Sequence, residues 1–455
     1  MSPQTSDPAW CWAVYRPDER RPWNLARAAH LYRRAGFGAG WDQLQQALAD
    51  GPQRTVDRLL TPEGDSAAME RRYAAYETAA ARDDSAAALR SWWIQRMLLS
   101  PHPLLEKMTL FWHGYFGISF DRVKSAALTL RHVQLLRSHA LGRFGPLLEA
   151  LVRDPAMFRG LDAESNRKAQ PNPSFPRALL ESFVLGPGQF SEEDVRQAAR
   201  AFTGWSVLRD ELREFPREHD PGQKKILGRH GNFDSRDVVR IAMEQPIAPR
   251  RLVRRLYRWL ICETDEPSDA LLTPLVDLLG KDYDVGRVVQ AMLRANLMFS
   301  AAAYRRRVKS PVEFALGILR GLEVAAVAGR LADDLAGLGQ NLYHPPTIHG
   351  WPDGSHWINE LSLLGRQNLA AALLSGEEPY GGQLDPAAVA ASHGCNDPSK
   401  AAGLMLALLL QDDLPAASRR TLLDGVPSSA ASSADPAWLR RFVQAVICTP
   451  EFQLA

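Results

Sequence analysis

No stretch of this 455-residue sequence approaches the roughly 18 consecutive apolar residues that a bilayer-spanning helix needs, so no transmembrane anchor is expected. Cysteine is scarce: Cys11, Cys262, Cys395 and Cys448 lie far apart, with no CxxC pair. Neither a zinc ribbon nor a dense disulfide framework is encoded, and the four are expected as buried or free thiols. An excess of one charge is missing too, since 54 lysines and arginines face 52 acidic residues for a net charge of +2. That balance gives no global field to draw in nucleic acid or a membrane surface. Nucleic acid is therefore not an expected partner, and any polyanion site must be local. Lysine is rare, eight of the 54 cations, in an alanine-rich chain. A high-GC coding bias accounts for that arginine preference as well as guanidinium recognition does. No GxSxG elbow, HExxH, EF-hand loop or P-loop occurs, so the familiar hydrolase and nucleotide-binding routes have no support.

Alternating β-branched runs are almost absent, and helical spacing of apolar residues dominates instead. It predicts helices over 85–99, 103–116, 123–140, 175–185, 191–203, 246–262, 284–295, 309–325 and 357–374. Ser191 with Glu192, Glu193 and Asp194 forms a capping box, which accounts for that acidic cluster without catalysis. Pro246 and Pro249 open a helix whose apolar stripe is Leu252, Val253, Leu256, Tyr257 and Leu260. Its other face carries Arg250, Arg251, Arg254, Arg255 and Arg258. Loop composition gathers at 205–234, 340–356 and a low-complexity stretch, 427–435. Helices near 400–411, 415–425 and 436–448 would form a C-terminal appendix. The pattern Leu148 to Phe158 is echoed at Val289 to Phe299 and Val443 to Phe452, at spacings too long and unequal for a solenoid. It reads as a recurring way to end a buried helix. The short apolar run Ala9 to Tyr15 follows acidic Asp7 without a twin arginine or a cleavage pattern, and is expected as a segment tucked onto the fold.

A family resemblance starts at His30-Leu31-Tyr32-Arg33-Arg34-Ala35-Gly36-Phe37-Gly38 and continues with Phe111-Trp112-His113 and Leu179 to Gly186. Phe190 to Trp205, His219-Asp220 with Lys224 and Gly228, Lys309 to Glu313, and Gly350-Trp351-Pro352 follow in order. Over roughly residues 22–375 the chain resembles the bacterial domain of unknown function 1800 family, which is known by its pattern. The resemblance implies a neighbour similar to the alkaline phosphatase and sulfatase superfamily, often with an export signal, and hence a two-component system. The chain itself has no clear signal, which suggests a cytoplasmic protein or one exported with a signal-bearing partner. Two departures fall where polar chemistry could lie. Tyr115 stands where relatives often have a second histidine, and Asn172 to Ala178 lacks the two glutamates of the usual NENYARE block.

Three sets of side chains are candidates. His113, Glu181, His219 and Asp220 would form a catalytic centre if they met, since a histidine held by a carboxylate makes a base or a ligand. His344, His349, Asp353 and His356 could hold zinc or a similar divalent metal in a Gly/Pro loop. Their spacing matches no standard site, and a structural loop anchored by Trp351 and Trp357 competes with that reading. Arg250, Arg251, Arg254, Arg255 and Arg258 could dock a sulfated or phosphorylated polymer or an acidic partner, against a solvated face whose stems cover apolar surface. In the opening block, Arg33 and Arg34 could bind an anion, against the simpler reading that Gly36 and Gly38 end a helix whose negative end suits the arginines.

The expected fold is all-α, a multi-helix bundle-like single unit, with residues 1–375 as the body carrying the family motifs and 376–455 as the appendix. Two functions follow. One is an accessory or structural protein that binds a partner, such as the sulfatase-like neighbour. The other is a metal-assisted enzyme of an exported-polymer pathway using His113, Glu181, His219 and Asp220.

Overall fold

In the computed structural model, residues 7–61, 66–82, 84–324, 329–426 and 435–455 are described. Helices dominate, and one continuous hydrophobic cluster runs from Cys11 to Phe452. At its centre lies the helix Pro103–Tyr115, opened by a proline that needs no amide partner and packed against Leu25–Ala35, Trp41–Leu60, Ala86–Leu99 and Ala126–Ser138. It is buried nearly all round, including Glu106, Lys107 and His113.

The expected caps are present. Ser191 and Asp194 exchange bonds at the start of Glu192–Ala201, and Ser310 and Glu313 do the same for Pro311–Gly321. The arginine-bearing helix Ile247–Leu260 buries Leu252, Val253, Leu256, Tyr257 and Leu260, the stripe its spacing predicts. The helix expected over 123–140 is shorter, Ala126–Ser138: Lys124, left-handed at φ 49°, separates it from the preceding turn Phe120–Val123. In each echoed segment one helix ends and a buried phenylalanine follows in the next short helix, Phe158 in Pro155–Gly160, Phe299 in Leu297–Phe299 and Phe452 in Pro450–Gln453.

The stretch 205–234 departs from the expected loop. It forms β2 (Trp205–Leu208), β3 (Glu211–Glu214), β4 (Lys224–Ile226) and β5 (Arg229–Gly231). With β1 (Ser165–Asn166), the first two make an antiparallel three-stranded sheet in the order β1-β2-β3, and β4 pairs with β5. The strands are only two to four residues long, too short to carry the alternation that marks a half-buried strand.

Helices Pro398–Leu410, Ala416–Leu423 and Pro436–Ile447 form near their expected bounds, while residues 427–434 of the low-complexity stretch lie outside those described. The chain's end joins the body: the Lys309 amide donates to the Gln453 carbonyl at 2.8 Å and the Ala455 amide to Arg307 at 2.8 Å. Near the start, Pro8–Trp12 is helical with Cys11 and Tyr15 buried. Cys11 and Cys262 are buried, Cys395 and Cys448 are half-buried, and Cys262, Cys395 and Cys448 are free thiols. Among the described residues, no helix is long and apolar enough to cross a membrane.

Candidate anion-binding cleft

The loop 343–353 is pinned to the end of the central helix by backbone contact. Gly350 has φ +85°, and a Cβ there would overlap the Gly114 carbonyl. The Tyr343 amide donates to His113 Nε2 at 3.1 Å, and the Tyr343 carbonyl accepts from the Phe120 amide at 2.7 Å. So fixed, the loop walls two clefts.

The first cleft, ~610 Å³, places Thr347 and Ile348 opposite Glu181, Arg177, Asp121 and Asp162. Glu181 comes from a π-helical turn, Ala178–Val184, a distortion that recurs at functional sites. The carbonyls of Glu181 and Ser182 accept from Arg251 Nη2 at 3.2 and 3.1 Å. That guanidinium passes so close to Gly186, at φ +98°, that a side chain there would collide with it.

The second cleft, ~450 Å³, lies across the loop. Phe111, Tyr115, Trp259, Trp351 and Trp357 give it aromatic walls, and Arg251, Arg254, Arg255, Arg258 and Arg307 face it against only two carboxylates, Glu263 and Asp353. Most of that positive charge is already engaged. Arg254 meets Glu266 and Asp269, Arg258 meets Asp353 at 2.9 Å, and Arg307 bridges Glu263 and Glu313 at 3.4 and 3.2 Å. Arg250 pairs with Asp269 at 2.8 Å and does not line the cleft. Arg255 has no hydrogen bond or ion pair among the described residues; it lies over the Tyr115 ring, 4.8 Å from its centroid. The Tyr115 hydroxyl is itself tied down, donating to the Phe183 carbonyl at 2.6 Å. His349 joins the lining, its pKa lowered by burial and then by Arg255 and Arg251.

The four catalytic candidates do not converge. His113 is 1% exposed and ringed by Trp93, Tyr343 and Trp351 at 5.1 to 5.5 Å. With Nε2 accepting, its proton sits on Nδ1, which has no partner, and burial pushes its pKa down to about 3. It is a neutral packing histidine. Glu181 reaches the first cleft without it. His219 hydrogen-bonds the Thr203 carbonyl at 3.0 Å through Nδ1, while Asp220 takes both Arg200 Nε and Nη2, at 2.6 and 3.1 Å. That arginine pulls the Asp220 carboxyl down to about 2. The Asp220 backbone carbonyl also accepts from the buried Lys224 ammonium at 2.7 Å, so the pair braces the β4 turn. A buried histidine held by a carboxylate does exist at His132, 2.5 Å from Asp154, which sequence spacing did not single out.

The proposed metal set is also corrected. His344 faces Asp121 at 3.4 Å, His349 faces the second cleft, Asp353 pairs with Arg258, and His356 Nδ1 turns back to the Asp353 carbonyl at 2.9 Å. Proximity along the chain does not become convergence, because Gly350 and the turn at Gly354–Trp357 aim the side chains apart. Among the described residues, no three His, Cys, Asp or Glu side chains gather in a metal-holding group.

Both clefts draw on the sequence blocks: Phe111, Ser310, Trp351 and Pro352 line the second, and Glu181 and Ser182 the first. A family described as protein of unknown function (DUF1800) matches residues 30–454. The chain belongs to this family. Its match extends through the C-terminal helices, beyond the blocks recognisable by eye, in keeping with the hydrogen bonds that join Gln453 and Ala455 to the body. No curated protein and no solved structure matches the chain.

Proposed function

We propose that this DUF1800 protein binds an acidic, ring-bearing ligand in the arginine-lined cleft, and that it serves as an accessory or structural component. The observation that carries this reading is Arg255. Its guanidinium stands over an aromatic ring without an acidic partner, inside a cavity with three tryptophans and an excess of cations. A guanidinium offers a planar pair of donors to a carboxylate, sulfate or phosphate, and tryptophan faces stack on flat rings or the apolar faces of sugars. A protein partner has a surface alongside: Leu361 and Leu364, 82% and 55% exposed, follow Trp357 on the next helix. The sulfatase-like neighbour implied by the family resemblance is our candidate for it. The alternative of a metal-assisted enzyme has less support, because its histidines and carboxylates have separate partners.

The test is binding of a heparin fragment, a sulfated sugar probe, followed by tryptophan fluorescence at low salt. Binding should weaken as salt rises. Arg255→Ala should lose one charge-assisted interaction of about 1.5–3 kcal/mol, a drop of roughly 10- to 150-fold. Arg250→Ala, outside the cleft, should bind as the wild type does. Absence of binding at low salt, or equal affinity in Arg255→Ala, would refute the proposal.

A further inference from the structure

A further cavity, ~20 Å³, lies between the opening family block, the helix Pro311–Gly321 with Lys309 just before it, and the C-terminal residues Leu408, Leu409, Gln411 and Phe452. Its polar lining is Arg33, Lys309 and Gln411, and no acidic residue lines it. The two cations are 9% and 4% exposed. Arg33 Nη1 donates to Gln411 Oε1, but Nε and Nη2 have no partner. Lys309 Nζ makes no hydrogen bond or ion pair among the described residues, and rests 3.5 Å from the centre of the Phe452 ring. Nearby acids are committed elsewhere: Glu313 to Lys107 and Arg307, Asp413 to Tyr304 and Arg305.

We propose that this cavity is a binding site for a small monovalent anion of the chloride class, held between Arg33 and Lys309. Two buried positive charges without a counter-ion are costly, and an isolated buried ion normally neutralises itself or acquires a partner. The cavity has room for one water-sized occupant, which suits a halide and excludes sulfate or phosphate. Burial and the adjacent Arg33 push the Lys309 ammonium well below its ordinary pKa. An anion in the cavity opposes that shift and keeps both cations charged. Gly317 lines the cavity, and a methyl group on it would lie 3.8 Å from Lys309 Nζ with no overlap. The space is therefore open to blocking without removing either cation.

Crystals of the full chain soaked in sodium bromide provide the direct test. An anomalous peak between Arg33 and Lys309 is expected; bromide bound only elsewhere, or a water in the cavity, overturns the assignment. In solution, the melting temperature should be higher in chloride or bromide than in gluconate at the same ionic strength, by roughly 2 °C or more. Gly317→Ala, with the cavity filled and both charges kept, should lose that halide dependence. Equal melting temperatures in all three salts for the wild type, or an undiminished halide effect in Gly317→Ala, would overturn it as well.

Discussion

Replacing Glu313 by glutamine tests the charge network beneath the arginine cleft. The Glu313 carboxylate accepts from Lys107 Nζ, from Arg307 Nη1 at 3.2 Å and from the Ser310 amide at 2.8 Å, all in the interior. Burial works against ionisation, yet Arg307 and Lys107 hold its pKa well below the usual carboxylate range. Glutamine keeps the shape and the acceptor to Ser310 but leaves Arg307 with Glu263 alone and Lys107 with no carboxylate, only the Arg33 carbonyl, and breaking a buried pair in this way costs about 3–5 kcal/mol. Lys107 sets the pH dependence. Burial already lowers its pKa to about 8, and without Glu313 it falls further. The variant can therefore shed a proton that the wild type retains. Its deficit should be largest in mildly acidic buffer and narrow as pH rises towards 8, each unit of pKa difference being worth about 1.4 kcal/mol. Urea unfolding at pH 6 and pH 8 reads both effects, the midpoint giving the loss and an unchanged slope showing that the native state is intact. Adding Lys107→Met should restore part of the loss, with a coupling of about 0.5–3 kcal/mol. A deficit below about 1 kcal/mol at pH 6, or one that grows with pH, would show that the network does not confine its charges as described.

Three further perturbations test other parts of the structure. Gly350→Ala forces a side chain into a left-handed position against the Gly114 carbonyl, and should cost at least about 2 kcal/mol while abolishing heparin-fragment binding; a stable variant that still binds would contradict the pinned loop. His113→Gln retains an acceptor for the Tyr343 amide and removes a group whose pKa falls from 6.5 unfolded to about 3 folded. The unfolded wild type binds a proton that the native state refuses, so wild-type stability drops through that window, and the variant's melting temperature should decline less between pH 6.5 and 3. Asp220→Asn breaks the pairing with Arg200. The folded carboxyl sits near 2 against an ordinary 3.8, so its contribution is present above pH 3.8 and lost towards 2. The variant should be less stable than the wild type at pH 6, with the gap closing in acid; a gap independent of pH would rule out the charge pair as its cause.

Much of the fold was legible because helices announce themselves locally. The 3.6-residue spacing of Leu252, Val253, Leu256, Tyr257 and Leu260 and the caps at Ser191 and Ser310 are decided within one or two turns. The β strands were not legible, since two to four residues leave too little pattern, whether exposed as in β3 or half buried as in β4. Nor was the π turn at Glu181, whose extra residue per turn has no composition mark. The site was harder still, because partners decide which charges are free. Five arginines in one helix look alike in sequence, and only the long-range placement of Asp269, Glu266 and Asp353 shows that three are engaged. The histidines of the 344–356 loop misled for the opposite reason, being neighbours in the chain that point to different surroundings.

The loop 343–353 matters more than any single cleft-lining residue. Thr347 and Ile348 face the Glu181 cleft, while His349 and Trp351 face the arginine cleft, so the same backbone forms one wall of each. Arg251 ties the same two sides together, reaching from the arginine helix to the carbonyls of the π turn. A ligand that displaces Trp351 must therefore either bend a loop held at Gly350 and Tyr343 or move the far wall as well. Interiors packed this closely yield by discrete shifts rather than by smooth deformation. A ligand entering the arginine cleft should consequently find it close to its final shape, and whatever ordering the first cleft requires would be set by the same contacts. The pinned glycine, not the histidines beside it, is what makes this segment a site.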